Sequence, residues 1–272
     1  MSLQDASRRT AIVPKFAPAD DYTTFCETIR TLCGVDLGQY KRGQMERRIR
    51  TWTGRRGTDD LGLYARRLQA DPEELDAFLD RVTINVSQLW RHPEHWKALE
   101  ETILPEIAAA GGRVRAWSAG CSYGAEAYTL AAVCRMAIPT ARVEIKGTDL
   151  DRRMVARARE GRFSAEDARG APAGAVAKFF PGGQAIPELR RMVSFDVGDL
   201  LRMPVQAGSF DLVMCRNTVI YFTEEVRDAL HARLAQSLKP GGWLIVGTSE
   251  RVVDPRGLGL ESPFHFIYRK GS

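Results

Sequence analysis

The chain carries residue types at spacings suited to holding a nucleotide-like ligand. Ser118-Ala119-Gly120-Cys121-Ser122-Tyr123-Gly124 interrupts a short apolar run and leads at once into helix-compatible sequence from Ala125. Glycines at 120 and 124 let the backbone approach a ligand with no Cβ in the way. A helix starting there points unpaired N–H groups at whatever fills the crevice, and Glu126 stands in its first turn. Two acids follow further on, Asp149 and Asp151. One is placed to accept hydrogen bonds from both hydroxyls of a ribose, the other to cap the next helix. Asp149 is assigned to the ligand and Asp151 to the cap. The third strand ends in Asp196-Val197-Gly198-Asp199-Leu200, where a carboxylate or a backbone amide could read an adenine edge. Cys215-Arg216-Asn217-Thr218 adds polar groups that are costly to bury without a partner.

These acids narrow the ligand. The turn is not G-x-G-x-x-G, and Asp149 lies 29 residues after Gly120, beyond the roughly 20 of a dinucleotide fingerprint. Glu126 would also repel a pyrophosphate. No Walker A sequence occurs. A cationic or zwitterionic ligand bearing a ribose suits the acids better, and S-adenosylmethionine is one. The five cysteines are scattered without a C-x-x-C pair, which argues against a disulfide framework and a zinc site. His92 and His95 lack supporting ligands and read as surface or packing residues, so no metal is expected.

The elements that must carry these residues follow from periodicity. Residues 1–19 are polar and read as a loose tail. Residues 20–82 show helical stripes only, such as Tyr22, Phe25, Ile29 and Leu32, with Asp71-Pro72-Glu73-Glu74 as a helix start and a reciprocal Glu. Residues 83–95 link this bundle to a second part at 96–272. A helix opens at Pro93 and buries Trp96, Leu99, Ile103 and Ile107. Strands are expected at 114–118, 143–148, 192–197, 210–215, 242–247 and 264–268, separated by helices at 125–136, 152–160 and 224–238. Such alternation predicts an α/β fold with a mostly parallel sheet, whose ligands bind outside the carboxyl ends of the strands.

The net charge is +5, yet Lys41 and eight arginines fall between 41 and 67. That patch implies an anionic partner, set against the simpler reading of a solvated helix face. No apolar run reaches the length of a membrane helix and the N-terminus lacks a signal-peptide core, so the expected location is the cytoplasm, without membrane insertion.

The run 117–122 with Gly124, Glu126 and Tyr128 resembles the GCSTGEEPYSLA signature of the CheR-type chemotaxis receptor methyltransferases. Thr148-Asp149-Leu150-Asp151, CRNTVIYF (215–222), LKPGGWLIVGTSE (238–250) and the linker TINVSQLWR (83–91) resemble the same family. The resemblance implies a Rossmann-like S-adenosylmethionine-dependent methyltransferase domain behind a small all-helical domain. It implies methyl ester formation on receptor glutamates for sensory adaptation, leaving S-adenosylhomocysteine.

Carried over by position, the family's cofactor contacts fall on Asn85, Ser87, Arg91, Glu126, Asp149, Asp199, Leu200, Arg216 and Asn217, beside Gly120 of the turn. Arg91 would also fix the methionine carboxylate or the substrate glutamate, and Tyr221 matches a tyrosine near the transferred methyl. The chain departs from the family at Ala125, Ala127, Tyr123, Ser87, Leu89-Trp90 and Asp199. Where the family's Asn both donates and accepts, an ionised Asp199 only accepts. The expected partner is the acidic methylation helix of a receptor, met by Arg47, Arg48 and Arg50. Some family members grip a receptor's C-terminal pentapeptide with a small β-subdomain. Its counterpart here, 179–195, has only Pro181-Gly182-Gly183-Gln184 as a loop and Pro187 soon after, so no tether is expected. The protein is expected to act as a monomer. Prolines of nucleic-acid amino-methylases are missing after Asn217, so nucleic acid is not the expected partner. A non-catalytic S-adenosylmethionine sensor or scaffold, suggested by Ala125 and Leu89-Trp90, is the alternative.

Overall fold

The computed structural model describes residues 20–82 and 87–271. Its helical part comprises α1 (Asp21–Cys33), α2 (Arg42–Arg55), α3 (Leu61–Ala70) and α4 (Pro72–Val82), with a 3-10 turn at Leu37–Gln39. Short acidic side chains set the helix starts. Asp20 accepts from the Thr23 N–H at 2.8 Å and Asp60 from that of Leu63 at 2.9 Å, each satisfying a donor the helix leaves over. Asp71 caps α4 in the same way, but Glu74 does not reciprocate. It turns inward, accepts from the Tyr64 hydroxyl at 2.7 Å and meets Arg56 at 3.2 Å. The apolar stripes converge on Phe25, Tyr64 and Phe78, whose ring centroids lie 5.7 to 6.4 Å apart. Ile29, Ile49 and Leu61 are fully buried around them, each contributing about 1.5–3 kcal/mol.

Beyond the linker, α5 (Pro93–Ala98) runs through a wide turn at Leu99–Ile103 into α6 (Leu104–Gly111). It buries Trp96, Leu99 and Ile103, as the spacing predicts. Then come β1 (Arg113–Ala119), α7 (Ala125–Ala137), β2 (Arg142–Asp149), α8 (Arg152–Glu160), α9 (Ala173–Phe179) and α10 (Pro187–Met192). The chain ends through β3 (Val193–Val197), β4 (Phe210–Cys215), α11 (Glu224–Ser237), β5 (Leu238–Val246), β6 (Leu260–Phe264) and β7 (Ile267–Lys270). Among the described residues the strands pair in the order β3-β2-β1-β4-β5-β7-β6. Pairs from β3 to β5 are parallel, and β7 is antiparallel to both its neighbours.

Strand alternation decides which layer each residue joins. Leu212 and Met214 of β4 face the core shared with Leu130 and Val133 of α7, whereas Val213 and Cys215 face the one shared with Leu230 and Leu234 of α11. The strand order reverses between β1 and β4, so their carboxyl ends open a crevice at the switch point.

Two expectations are corrected. The single strand expected at 264–268 is instead the turn of a hairpin between β6 and β7, with Phe266 at φ 61°. Residues 179–195 do not make a β-subdomain. They hold the end of α9, a 3-10 turn at Pro181–Gly183, α10 and the start of β3, with one isolated bridge from Gln184 to Arg162. Pro187 sits in the first turn of α10, where its ring presets φ and no N–H is needed. No helix among the described residues is long and apolar enough to cross a membrane.

The helical part is clasped to the sheet domain beside the crevice. The Lys41 N–H donates to the Tyr221 carbonyl at 2.9 Å and the Thr223 N–H to that of Gln39 at 3.0 Å. The Tyr40 and Phe222 rings lie 5.1 Å apart. Across the domains, Arg153 meets Asp80 at 2.9 Å and Arg202 meets Asp36 at 3.0 Å.

Candidate functional site

One cleft gathers nearly every residue singled out in the sequence. Ser87, Arg91, Gly120, Glu126, Asp149, Asp199, Leu200, Arg216, Asn217 and Tyr221 all line it. Asn85 lies outside the described residues. Its floor is the turn after β1. Gly120 has φ 80°, and a Cβ there would fall 2.5 Å from the Thr218 hydroxyl oxygen. The glycine therefore lets the ends of β1 and β4 close on each other.

Asp149, at the end of β2, accepts from the Ser122 N–H at 2.7 Å through one oxygen and from the Asp151 N–H at 2.9 Å through the other. Burial raises its carboxyl above the usual range, opposed by these backbone donors. A carboxylate has about four acceptor positions, so two ribose hydroxyls can still be served. Asp151 accepts from Arg153 and Met154 N–H groups and caps α8. Asp199 accepts from the Leu201 N–H at 2.8 Å and lies 3.5 Å from Arg202. Its carboxylate thus folds its own turn.

Glu126 accepts from Ser118 Oγ at 2.7 Å and pairs with Arg216 at 3.4 Å. Burial raises the Glu126 carboxyl and Arg216 pulls it back; burial likewise lowers the Arg216 guanidinium. Arg216 also donates to the Arg91 carbonyl and lies 5.3 Å from the Trp96 ring. This cation ties the linker to the end of β4.

Residues 216–221 form the far wall. Asn217 is held at φ 58°, and its Oδ1 is buried without a partner among the described residues. The loop rests on Glu250, which is 3% exposed. Tyr221 is half-buried beside it, with the Arg48 guanidinium 5.7 Å from its ring. Burial raises the Tyr221 hydroxyl.

The residues fit a ribose-bearing zwitterion. Asp149 offers acceptor capacity, Asn217 Oδ1 an unused acceptor, and the Arg216 Nε an unused donor.

Sequence reasoning missed the contribution of the helical part. Asp36, Gln39 and Tyr40 also line the cleft. Burial raises the Tyr40 hydroxyl, with the negative charges of Asp149, Asp199 and Asp36 adding to the shift. Only an aromatic ahead of the basic helix signalled it. Glu250 was visible within GTSE (247–250), but nothing local marked its role.

The basic face is narrower than its sequence. Arg50 is committed to Asp21 at 2.9 Å and Glu46 at 2.8 Å, so it is not a free docking cation. Acids from α1 and within α2 reach it in space, which the run of arginines hides. Arg48 donates to the Val82 carbonyl at 3.1 Å and faces Tyr221. Arg47 remains exposed on α2.

Residues 85–259 match the family described as CheR methyltransferase, SAM binding domain, and residues 20–83 match CheR methyltransferase, all-alpha domain. The chain is 34% identical over 255 residues to the chemotaxis protein methyltransferase of Listeria monocytogenes, covering 92% of this chain and 97% of that protein. It is 32% identical over 245 residues to chemotaxis protein methyltransferase 1 of Pseudomonas aeruginosa, covering 85% and 89%. With the chemotaxis protein methyltransferase of Salmonella typhimurium it shares 28% over 242 residues, covering 84% and 83%.

Proposed function

The chain belongs to the CheR methyltransferase family of S-adenosylmethionine-dependent enzymes, and we propose that it methylates glutamate side chains of chemotaxis-type receptors in the cytoplasm. The observation that carries this reading is the two-domain cleft. Cofactor-type acids lie on its sheet side, and Arg48 of the basic helix stands over Tyr221 on the other.

When bound, S-adenosylmethionine supplies an electrophilic methyl, whose bond to sulfur breaks with both electrons left on sulfur as the bond to a carboxylate oxygen forms. The chain's own residues bind and orient. Asp149 would accept from the ribose hydroxyls. Gly198, Asp199 and Leu200 would border the adenine, with Tyr40 and Phe222 closing the cleft over it. Arg91, Ser87 and Asn217 would hold the amino-acid end, and Glu126 would keep Arg216 in place. Tyr221 would border the methyl path. A free glutamate side chain has a pKa of about 4.3 and is already a carboxylate at neutral pH, so no general base is needed. What the protein adds is alignment and exclusion of water.

The partner would be an acidic receptor helix lying along α2. The helical character of 179–195 supports recognition independent of a C-terminal tether. Arg47→Glu should slow methyl transfer to such a receptor roughly threefold to tenfold at low salt, with the effect shrinking as salt screens the surface. Cofactor affinity should stay unchanged. Equal rates for variant and parent at low salt would remove α2 from the docking surface.

A further inference from the structure

Glu250 does a job that no cofactor contact accounts for. It follows the end of β5, is 3% exposed, and takes four backbone N–H groups on one carboxylate. Oε2 accepts from Gly247 at 2.7 Å and Asn217 at 2.8 Å. Oε1 accepts from Val219 at 2.8 Å and Ile220 at 3.3 Å. Three of these donors belong to the loop that carries Arg216, Asn217 and Tyr221.

The grip explains two local features. Asn217 sits at φ 58°, a left-handed conformation that a non-glycine residue adopts at a cost and keeps only when its surroundings hold it. Its N–H is one of those Glu250 holds. A Cβ at position 247 would lie 2.6 Å from Glu250 Oε2 and 2.9 Å from the Asn217 nitrogen. Glycine there lets carboxylate and loop come together.

We propose that Glu250 is the positioning residue of the transfer site. Its carboxylate is the template on which residues 216–221 fold, turning Asn217 Oδ1 toward the cofactor and Tyr221 toward the reacting methyl. The proposal rests on the reading of the cleft as the cofactor site. It differs from simple space-filling, because an isosteric glutamine would fill the same volume. A glutamine would also aim an NH2 group at N–H donors and leave part of the loop without acceptors.

The test compares Glu250→Gln and Glu250→Asp with the parent by amide hydrogen exchange of the cofactor-free protein, then by calorimetry with S-adenosylhomocysteine. In Glu250→Gln, amides of Asn217, Val219 and Ile220 should exchange at least about tenfold faster, while those of Val213 in β4 and Leu244 in β5 keep their protection. The dissociation constant should rise by about tenfold for the loss of charged-acceptor bonds. Glu250→Asp, with the charge kept and the reach shortened, should fall between. Unchanged loop exchange, or loop loosening with unchanged affinity, would overturn the proposal. So would loss of protection throughout the sheet in both variants, which would assign Glu250 to the fold at large. Parent protein that binds no S-adenosylhomocysteine would defeat the cofactor reading, while the exchange result would still decide whether Glu250 holds the loop.

Discussion

Glu126→Gln should lower the stability of the protein by about 3 kcal/mol, because removing one partner of a buried ion pair leaves the other charge uncompensated. Arg216 is the residue left behind. Its side chain is 3% exposed, and among the described residues Glu126 is the one carboxylate that pairs with it within 4 Å. The Arg91 carbonyl and the Trp96 ring still face it, but neither carries a formal charge. For a chain of this size the loss corresponds to roughly 6–12 °C in melting temperature. The double variant Glu126→Gln with Arg216→Met should recover part of it, since both charges are then gone. Thermal unfolding followed by circular dichroism checks both statements. A single variant melting within about 2 °C of the parent would show that the pair does not hold the linker to β4.

Asp149→Ala should weaken S-adenosylmethionine binding by on the order of 1.5–3 kcal/mol, or roughly 10-fold to 150-fold in dissociation constant. The side chain does two things at once. It orders the turn through the Ser122 and Asp151 N–H groups, and it presents its remaining acceptor positions to the cleft. Asp149→Asn separates them, because the amide keeps one acceptor oxygen for the turn and loses the charge. Its affinity should lie between parent and alanine variant. Calorimetry on the folded variants decides it. An Asp149→Ala protein binding as tightly as the parent would take Asp149 out of the cofactor site.

Much of this arrangement is local and therefore legible. The glycine turn, the acid after β2 and the polar run after β4 each follow a strand, and strands announce themselves by alternation. The division of labour between Asp149 and Asp151 could be reasoned from the needs of a helix start, and Asp151 does cap α8. What escaped was built by distance along the chain. Tyr40 reaches the cleft because its backbone lies against Phe222, and Arg50 loses its role to acids brought over by packing. Glu250 meets Asn217 across 33 positions, and no periodicity encodes that. The stretch 179–195 misled for another reason. The resemblance suggested strands there, while Pro187 and the apolar spacing of Leu189 and Met192 suit the short helix that forms.

Receptor incubated with the protein and S-adenosylmethionine carrying a tritiated methyl should gain label on glutamate side chains. Mild alkali should release that label as methanol, because a glutamyl methyl ester hydrolyses where an N-methyl group does not. Label that resists alkali, or that appears in nucleic acid, would contradict the account. So would cofactor binding with no transfer to any receptor.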